Sequence, residues 1–227
     1  MAMVLINRQR FLTSLTEMAQ IGRIPAAEGD GLNRAPFSPA DRAARAHFRE
    51  MALQAGLNVA TDQAANLSAR LACGPEGAKT LLLGSHLDTV PHGGPYDGAL
   101  GVLAALEVLS VVAENEYELP FHLEAIDFTD EEGRFGDFFG SRAVAGAHSN
   151  ETVNSFYERV GSFPDNIDAV AALVPGGLAS SEIGNAARAP DKLAGYLELH
   201  IEQGPRLEHA GSQVGVVSAN FGRTSFK

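Results

Sequence analysis

The chain has 227 residues, of which 45% are hydrophobic and 20% are charged. This composition is that of a globular protein with enough apolar residues for a sizeable core. The net charge of −11 argues against nucleic acid and anionic membranes as partners, since both attract positive charge. A single cysteine, Cys73, excludes an internal disulfide and a cysteine-rich metal site. The sequence has no 18-residue apolar run and a polar N-terminus, so we expect no transmembrane helix, no secretory signal and a cytoplasmic location.

The first 71 residues predict two helices and a pair of strands. Apolar residues recur at helical spacing over 4–19. A loop rich in glycine and proline, 21–37, precedes a second helix, which is expected to begin after an N-cap at Ser38 and to end near Gln54. Residues 59–71 are typical of strands around a turn.

The rest of the chain alternates apolar runs of strand length with helices. The predicted strands are 80–85, 121–128 and 195–201, and a fourth is expected to begin over 214–219. The predicted helical or mixed segments are 100–113, 141–147 and 151–172. This order predicts an α/β fold with a largely parallel sheet, in which ligands bind outside the carboxyl ends of the strands.

The first of these strands ends in His86-Leu87-Asp88. Residues two apart in an extended chain share a face, and a metal-bound imidazole usually gives its other N–H to a carboxylate. His86 is therefore a candidate ligand that Asp88 would orient. Taken alone, the motif is more typical of a hydrogen-bonded loop histidine without a metal.

Asp97 lies between glycine-containing segments directly before the apolar helix. In isolation such a position is more typical of a turn or a helix N-cap. The glycines would also let the backbone approach an ion closely, and a carboxylate here could bridge two metals. Both interpretations stay open at this position.

Three consecutive acidic residues, Asp130, Glu131 and Glu132, follow the second predicted strand. Such a run usually lies in a solvated loop or at a helix N-terminus. Here it comes directly after an apolar strand, where sheet topology places a binding site. Because adjacent carboxylates point in different directions, one can bind a metal while its neighbour acts as a general base.

The third predicted strand ends near His200, which is either a buried structural histidine or a further ligand. Imidazole nitrogens and carboxylate oxygens thus follow the strands of one sheet, at His86, Asp97, Glu132 and His200. Such mixed ligation without sulfur suits Zn, Mn, Ni or Co in a hydrolytic site. Among the remaining histidines, His92 near the first loop is kept as a reserve ligand.

Three long segments resemble the M20-type metal-dependent amidohydrolases. They read GSHLDTVPHGGPYDGALGVLAALE, DFTDEEGRFGDFFGSRAVAG and LELHIEQGP. The nearest branch is that of N-carbamoyl-L-amino-acid hydrolases, β-ureidopropionase and allantoate amidohydrolase, and the stretch HIEQGP suggests this branch. The resemblance covers nearly the whole chain, from the segment APFSPADRAARAHFREMALQAGL onward.

The resemblance implies a site with two divalent metal ions, Zn or alternatively Mn, Ni or Co. His86 and His200 would bind the first ion. Asp97 would bridge the two ions, and Glu132 would bind the second. In the family a further histidine ligand of the second ion lies near the C-terminus, so the second site is expected to lack it here.

The resemblance also implies the reaction, which is metal-assisted hydrolysis of a linear C–N bond in an N-carbamoyl amino acid or related ureido acid. Metal charge would polarise the carbonyl and lower the pKa of water. Glu131 would accept the water proton and return it to the leaving nitrogen. Asp88 would stand behind His86, and Gln203 lies in the substrate-side motif.

The resemblance further implies the domain organisation. Residues 1–213 would form the first part of a catalytic α/β domain similar to that of zinc exopeptidases. Residues 214–227 would begin a lid and dimerisation domain or form a truncated tail. Family members form homodimers through that lid, so we expect a truncated catalytic portion whose dimerisation depends on a segment beyond residue 227.

Two alternative functions remain open. One is an M20 metallopeptidase that cleaves dipeptides or acylated amino acids. The other is a non-catalytic remnant that binds one metal through His86, Asp97 and His200, or binds none. Metal content and assays on N-carbamoyl amino acids against dipeptides would distinguish these functions.

Overall fold

A computed structural model describes residues 5–162 and 182–219. Within these ranges five strands form one sheet in the order β1-β2-β4-β3-β5. The strands are β1 (Asn58–Thr61), β2 (Leu67–Leu71), β3 (Thr80–His86), β4 (His122–Phe128) and β5 (Leu193–Leu197). The α-helices are α1 (Arg8–Met18), α2 (Pro39–Gln54), α3 (Ala99–Glu114), α4 (Phe139–Val144), α5 (Asn150–Gly161) and α6 (Arg206–Ala210).

The sheet is mixed, and its parallel part carries the strand ends of interest. β3 pairs in parallel with both β4 and β5. β2 pairs antiparallel with β1, because the short turn between these strands permits only a hairpin. β2 also pairs antiparallel with β4. The predicted α/β fold is confirmed, and the parallel arrangement applies to β4, β3 and β5. The carboxyl ends of these three strands therefore meet at one edge.

Helix α2 shows how closely local signals set the N-terminal elements. The Ser38 side chain accepts a hydrogen bond from the backbone N–H of Asp41 at 3.2 Å, as expected of an N-cap. Pro39 occupies the first turn, where a missing N–H costs nothing. The helix ends at Gln54, and Gly56 follows with φ of 75°. The predicted bounds of this helix are confirmed.

Helices cover both faces of the sheet. Alternate residues of β3 point to opposite sides, so Leu83 joins the core beneath α1, α2 and α3, whereas Leu82 joins a smaller cluster with Val144 of α4. Helix α3 is buried along most of its length, which accounts for its nearly continuous apolar sequence. The central strands are therefore held between two apolar layers.

The predictions near the C-terminal end need correction. The third strand of the parallel part ends at Leu197 and does not extend to residue 201, so His200 lies beyond it. Residues 214–219 form no strand, and Val216 is 96% exposed. Both errors have one cause, because an apolar run forms a strand only where a neighbouring strand accepts its backbone hydrogen bonds.

Two other predictions are settled only over the residues that the structure describes. The segment 141–147 is helical as α4, and 151–172 is helical as far as Gly161. Residues 163–172 lie outside the described ranges. In those ranges, no helix combines the length and hydropathy needed to cross a membrane.

Asn66 braces the acidic loop that follows β4. Its Oδ1 accepts from the backbone N–H of Thr129 at 3.0 Å, and its Nδ2 donates to the carbonyl of Gly140 at 3.1 Å. Because the side chain is buried, no water can take its place as the hydrogen-bond partner of Thr129 and Gly140.

We predict that Asn66→Ala lowers the free energy of unfolding by about 2 kcal/mol, because the buried N–H of Thr129 loses its acceptor. Urea denaturation measures this change. The control is Asn58→Ala at the exposed end of β1, which should alter stability by less than about 0.5 kcal/mol. Equal losses in the two variants would contradict the bracing role.

Candidate metal centre

His86 is the last residue of β3 and is almost fully buried. Its Nδ1 lies 2.9 Å from the backbone oxygen of Asp88. A carbonyl oxygen only accepts hydrogen bonds, so Nδ1 carries a hydrogen, and in the neutral ring Nε2 presents a lone pair. The ring is thus held in the tautomer that binds a metal through Nε2.

Asp97 lies just before α3, and its carboxylate turns towards the ends of β3 and β5. Its Oδ2 accepts a hydrogen bond from Nε2 of Gln203 at 2.9 Å. Its Oδ1 is buried and has no hydrogen-bond donor. The next residue, Gly98, has φ of 64°, and a Cβ there would lie 2.6 Å from two ring carbons of His86. Glycine is therefore required for this close approach of the loop to the imidazole.

His200 completes the arrangement from the segment after β5. Its Nδ1 lies 2.9 Å from the backbone oxygen of Ile201, so in the neutral ring its Nε2 also presents a lone pair. That Nε2 is 3.2 Å from Oδ1 of Asp97. Two acceptors without a hydrogen between them repel each other unless a cation lies near both. The imidazole rings of His86 and His200 stack at 5.9 Å between centroids.

These three side chains form a group with the chemistry of a metal site. One ligand atom from each of His86, Asp97 and His200 lies within 4.8 Å of the others. Two neutral imidazoles and one carboxylate are a donor set that suits zinc and similar divalent ions. The undonated Oδ1 of Asp97 supplies an independent reason for a cation. The residues present therefore fit the metal that the sequence predicts.

Glu131 lies beside this group. Its Oε2 is 3.5 Å from Nε2 of His86, and its side chain is 27% exposed. Burial raises the pKa of Glu131 above its usual value; His86 and His200 oppose the shift, whereas Glu132 and Glu198 add to it. A carboxylate with a raised pKa, placed at the ligand atom of an imidazole, has the properties of a general base.

Asp88 connects the first and second strand ends. Its Oδ1 accepts from the N–H of Glu131 at 3.3 Å, and its Oδ2 accepts from the N–H of Glu132 at 3.2 Å. Burial raises the pKa of Asp88 well above its ordinary value. The carboxylate is 3.6 Å from Nδ1 of His86, so the backbone oxygen of Asp88 is the nearer acceptor. Asp88 thus positions the acidic loop as well as the imidazole.

The other candidate residues differ in where they lie. In the described part of the chain, the group of converging ligand atoms does not include Glu132 or His92. Glu132 is half-buried next to Glu131. His92 is exposed, with Nδ1 3.0 Å from the backbone oxygen of Asp30. Gln203 contacts Asp97 directly, a placement that its position in a motif did not specify.

Asp130 has a structural role, which its place in a run of three acidic residues did not indicate. Its carboxylate accepts three backbone hydrogen bonds, from Arg134, Phe135 and Gly136, at 2.7 to 3.0 Å. Its φ of 50° is unusual for a residue with a side chain. An aspartate followed by a glycine-containing turn is a local signal for such a loop. This signal could have distinguished the structural role of Asp130 from the roles of its acidic neighbours.

Comparison with known proteins identifies the family. The model of peptidase family M20/M25/M40 matches residues 82–225. An N-carbamoyl-L-amino acid amidohydrolase of Geobacillus stearothermophilus is 37% identical over 221 residues, which cover 96% of this chain and 52% of the relative. Allantoate deiminase 1 of Glycine max is 33% identical over 218 residues, which cover 94% of this chain and 44% of the relative.

A solved structure agrees with these relatives. The crystal structure of a hydantoinase/carbamoylase family amidase from Burkholderia ambifaria has a TM-score of 0.69 and 34% identity, and it covers 92% of this chain and 48% of that one. The chain therefore spans about half the length of the relatives it matches. The matched segment includes every candidate residue from His86 to Gln203. On these grounds, the chain belongs to peptidase family M20/M25/M40.

Proposed function

We propose that this chain carries the metal-binding catalytic portion of an amidohydrolase that cleaves C–N bonds in N-carbamoyl amino acids or related ureido acids. One observation carries the proposal. One ligand atom from each of His86, Asp97 and His200 lies within 4.8 Å of the others, with Glu131 alongside. Such a convergence is costly without a cation and is the donor set of a hydrolytic metal site with one.

The residues divide the chemistry among them. His86, Asp97 and His200 would hold a divalent ion, which supplies the positive charge that polarises a carbonyl and lowers the pKa of water. Glu131 accepts a proton from the attacking water as the new C–O bond forms. When the C–N bond breaks, Glu131 returns that proton to the leaving nitrogen. The backbone N–H groups of Glu131 and Glu132 donate to the carboxylate of Asp88, which holds the loop that carries Glu131.

A second ion is proposed at Glu132, with Asp97 as the bridge. Glu132 and Asp97 would hold this ion. Gln203, which donates to Oδ2 of Asp97 at 2.9 Å, would contact the substrate beside it. The identity of the ions, Zn or Mn, Ni or Co, belongs to the same proposal.

The substrate class is proposed from the names of the relatives together with the site. Two relatives that match most of this chain are named as an N-carbamoyl-L-amino acid amidohydrolase and an allantoate deiminase. The family model carries the name of peptidases, so dipeptide cleavage is the competing activity. A metal-binding chain without turnover is the third outcome that the experiments below can reveal.

Several expectations stay predictions. They concern the cytoplasmic location, the homodimer and the division into residues 1–213 and 214–227, of which 220–227 lie outside the described residues. The acidic net charge continues to argue against nucleic acid as a partner.

We predict that His86→Ala and His200→Ala each lose most of the bound metal, because each removes one of the converging nitrogens. Elemental analysis after purification in trace zinc or manganese measures the metal content. The control is His92→Asn, which removes the reserve ligand and tolerates the positive φ at that position. Loss of metal in the control alone would place the site at His92 and contradict the proposal.

We predict that Glu131→Gln keeps the metal and lowers kcat by about 10²- to 10⁴-fold, the usual contribution of a general base. Ammonia release from an N-carbamoyl amino acid measures turnover, with metal content determined on the same sample. The control, Glu118→Gln, removes an exposed carboxylate from the opposite end of the sheet and should leave turnover unchanged. Equal activity of the two variants would exclude Glu131 as the base.

We predict that the metal-loaded chain hydrolyses N-carbamoyl amino acids and not dipeptides. Parallel assays for ammonia and for free amino acids measure the two activities. Turnover of dipeptides alone would support the peptidase. Metal binding without either turnover would mean that this chain binds the ion but does not perform the reaction.

A further inference from the structure

His86 and His200 both lie beyond the residues that pair β3 with β5, although His86 still pairs with Phe128 of β4. The ladder between β3 and β5 has its last paired residues at Leu83 and Leu197. Each histidine follows three residues later in its chain. Backbone pairing therefore does not set the separation of the two imidazoles, and some other contact must do so.

A carboxylate outside the metal group makes such a contact. Oε1 of Glu198 accepts from the hydroxyl of Ser85 at 2.5 Å, and Ser85 directly precedes His86. Oε2 of Glu198 accepts from the hydroxyl of Tyr196 at 2.8 Å. The same hydroxyl lies 3.1 Å from the backbone oxygen of Gly84. The side chains of Ser85, Tyr196 and Glu198, together called the strand clasp below, thus join the end of β3 to the segment after β5.

The strand clasp also acts on His200 through the geometry of the extended chain. Residues two apart in an extended segment share a face, so Tyr196, Glu198 and His200 are expected to follow one another on one side. Fixing the Glu198 carboxylate on β3 therefore limits where the imidazole two residues later can lie. Burial raises the pKa of Tyr196 above its usual value, so its hydroxyl keeps the proton that it donates.

We propose that Glu198 is a positioning residue, which fixes the distance between His86 and His200 by accepting hydrogen bonds from Ser85 and Tyr196. The inference rests on the proposed metal site but adds a determinant of its affinity. It differs from a purely electrostatic role, in which the negative charge of Glu198 would attract a cation without reference to its hydrogen bonds. A positioning role predicts that Ser85→Ala and Tyr196→Phe weaken metal binding as Glu198→Gln does. An electrostatic role predicts that only Glu198→Gln weakens it.

The experiment measures the affinity of the full chain for Co²⁺ by chelator competition, together with the visible absorption spectrum of the bound ion. We expect Glu198→Gln to weaken affinity about tenfold, in the range found for residues that orient metal ligands. Ser85→Ala and Tyr196→Phe leave the net charge unchanged, and we expect each to weaken affinity and to shift the absorption bands. Thermal unfolding of each variant checks that the fold is retained.

Two comparisons decide the outcome. The matched control is Glu118→Gln, which removes one exposed carboxylate at the far end of the sheet and should leave Co²⁺ affinity unchanged. If Glu198→Gln alone weakens binding, and the loss disappears at high salt, the role is electrostatic and positioning is excluded. If all three clasp variants bind Co²⁺ like the unmodified chain, the inference fails while the metal site stands. If the unmodified chain binds no Co²⁺, the proposed metal site and this inference both fail.

Discussion

The site depends on the buried carboxylate of Asp97, which has one oxygen satisfied and one without a donor. Gln203 donates to Oδ2, whereas Oδ1 faces Nε2 of His200 at 3.2 Å. Both histidines use Nδ1 as the donor to a backbone oxygen, so in the neutral form neither offers a hydrogen to Oδ1. Burying an unpaired carboxylate oxygen among lone pairs is unfavourable. A bound divalent ion would give this oxygen a partner of opposite charge and remove the unfavourable contact. The arrangement is therefore understood best as a binding site and not as packing.

A second set of buried charges keeps the loop after β3 in place. The N–H of Leu87 donates to Asp127 at 2.8 Å, and the carbonyl of Leu87 accepts from Arg34 at 2.7 Å. Arg45 lies 3.3 Å from the other oxygen of Asp127, with both side chains almost fully buried. Removing one partner from such a buried pair typically costs about 3–5 kcal/mol. Because Leu87 lies between His86 and Asp88, this network limits the motion of both.

Local patterns predicted much of the fold and most of the candidate site, for reasons that the individual residues show. Helix α2 followed from Ser38, Pro39 and Gly56, whose effects act within a turn. The position of His86 followed from the rule that parallel strands end at one edge, whereas Asp97 was open between a turn residue and a ligand. The end of β5 did not follow, because pairing with β3 depends on residues more than a hundred positions away. The contacts between Gln203 and Asp97 and between Glu198 and Ser85 were unpredictable for the same reason.

The two sides of the centre differ in how firmly the structure holds them. His86 is 2% exposed at its side chain and is held by the buried network behind Leu87. His200 is 31% exposed and follows β5, the outermost strand of the sheet over the described residues, where Leu197 faces away from the core. Segments with few buried contacts move at lower free-energy cost than core strands. The position of His200 therefore depends more on side-chain contacts than on backbone pairing. We therefore expect changes in the contacts around His200 to alter metal affinity, whereas the firmly held His86 determines where the ion binds.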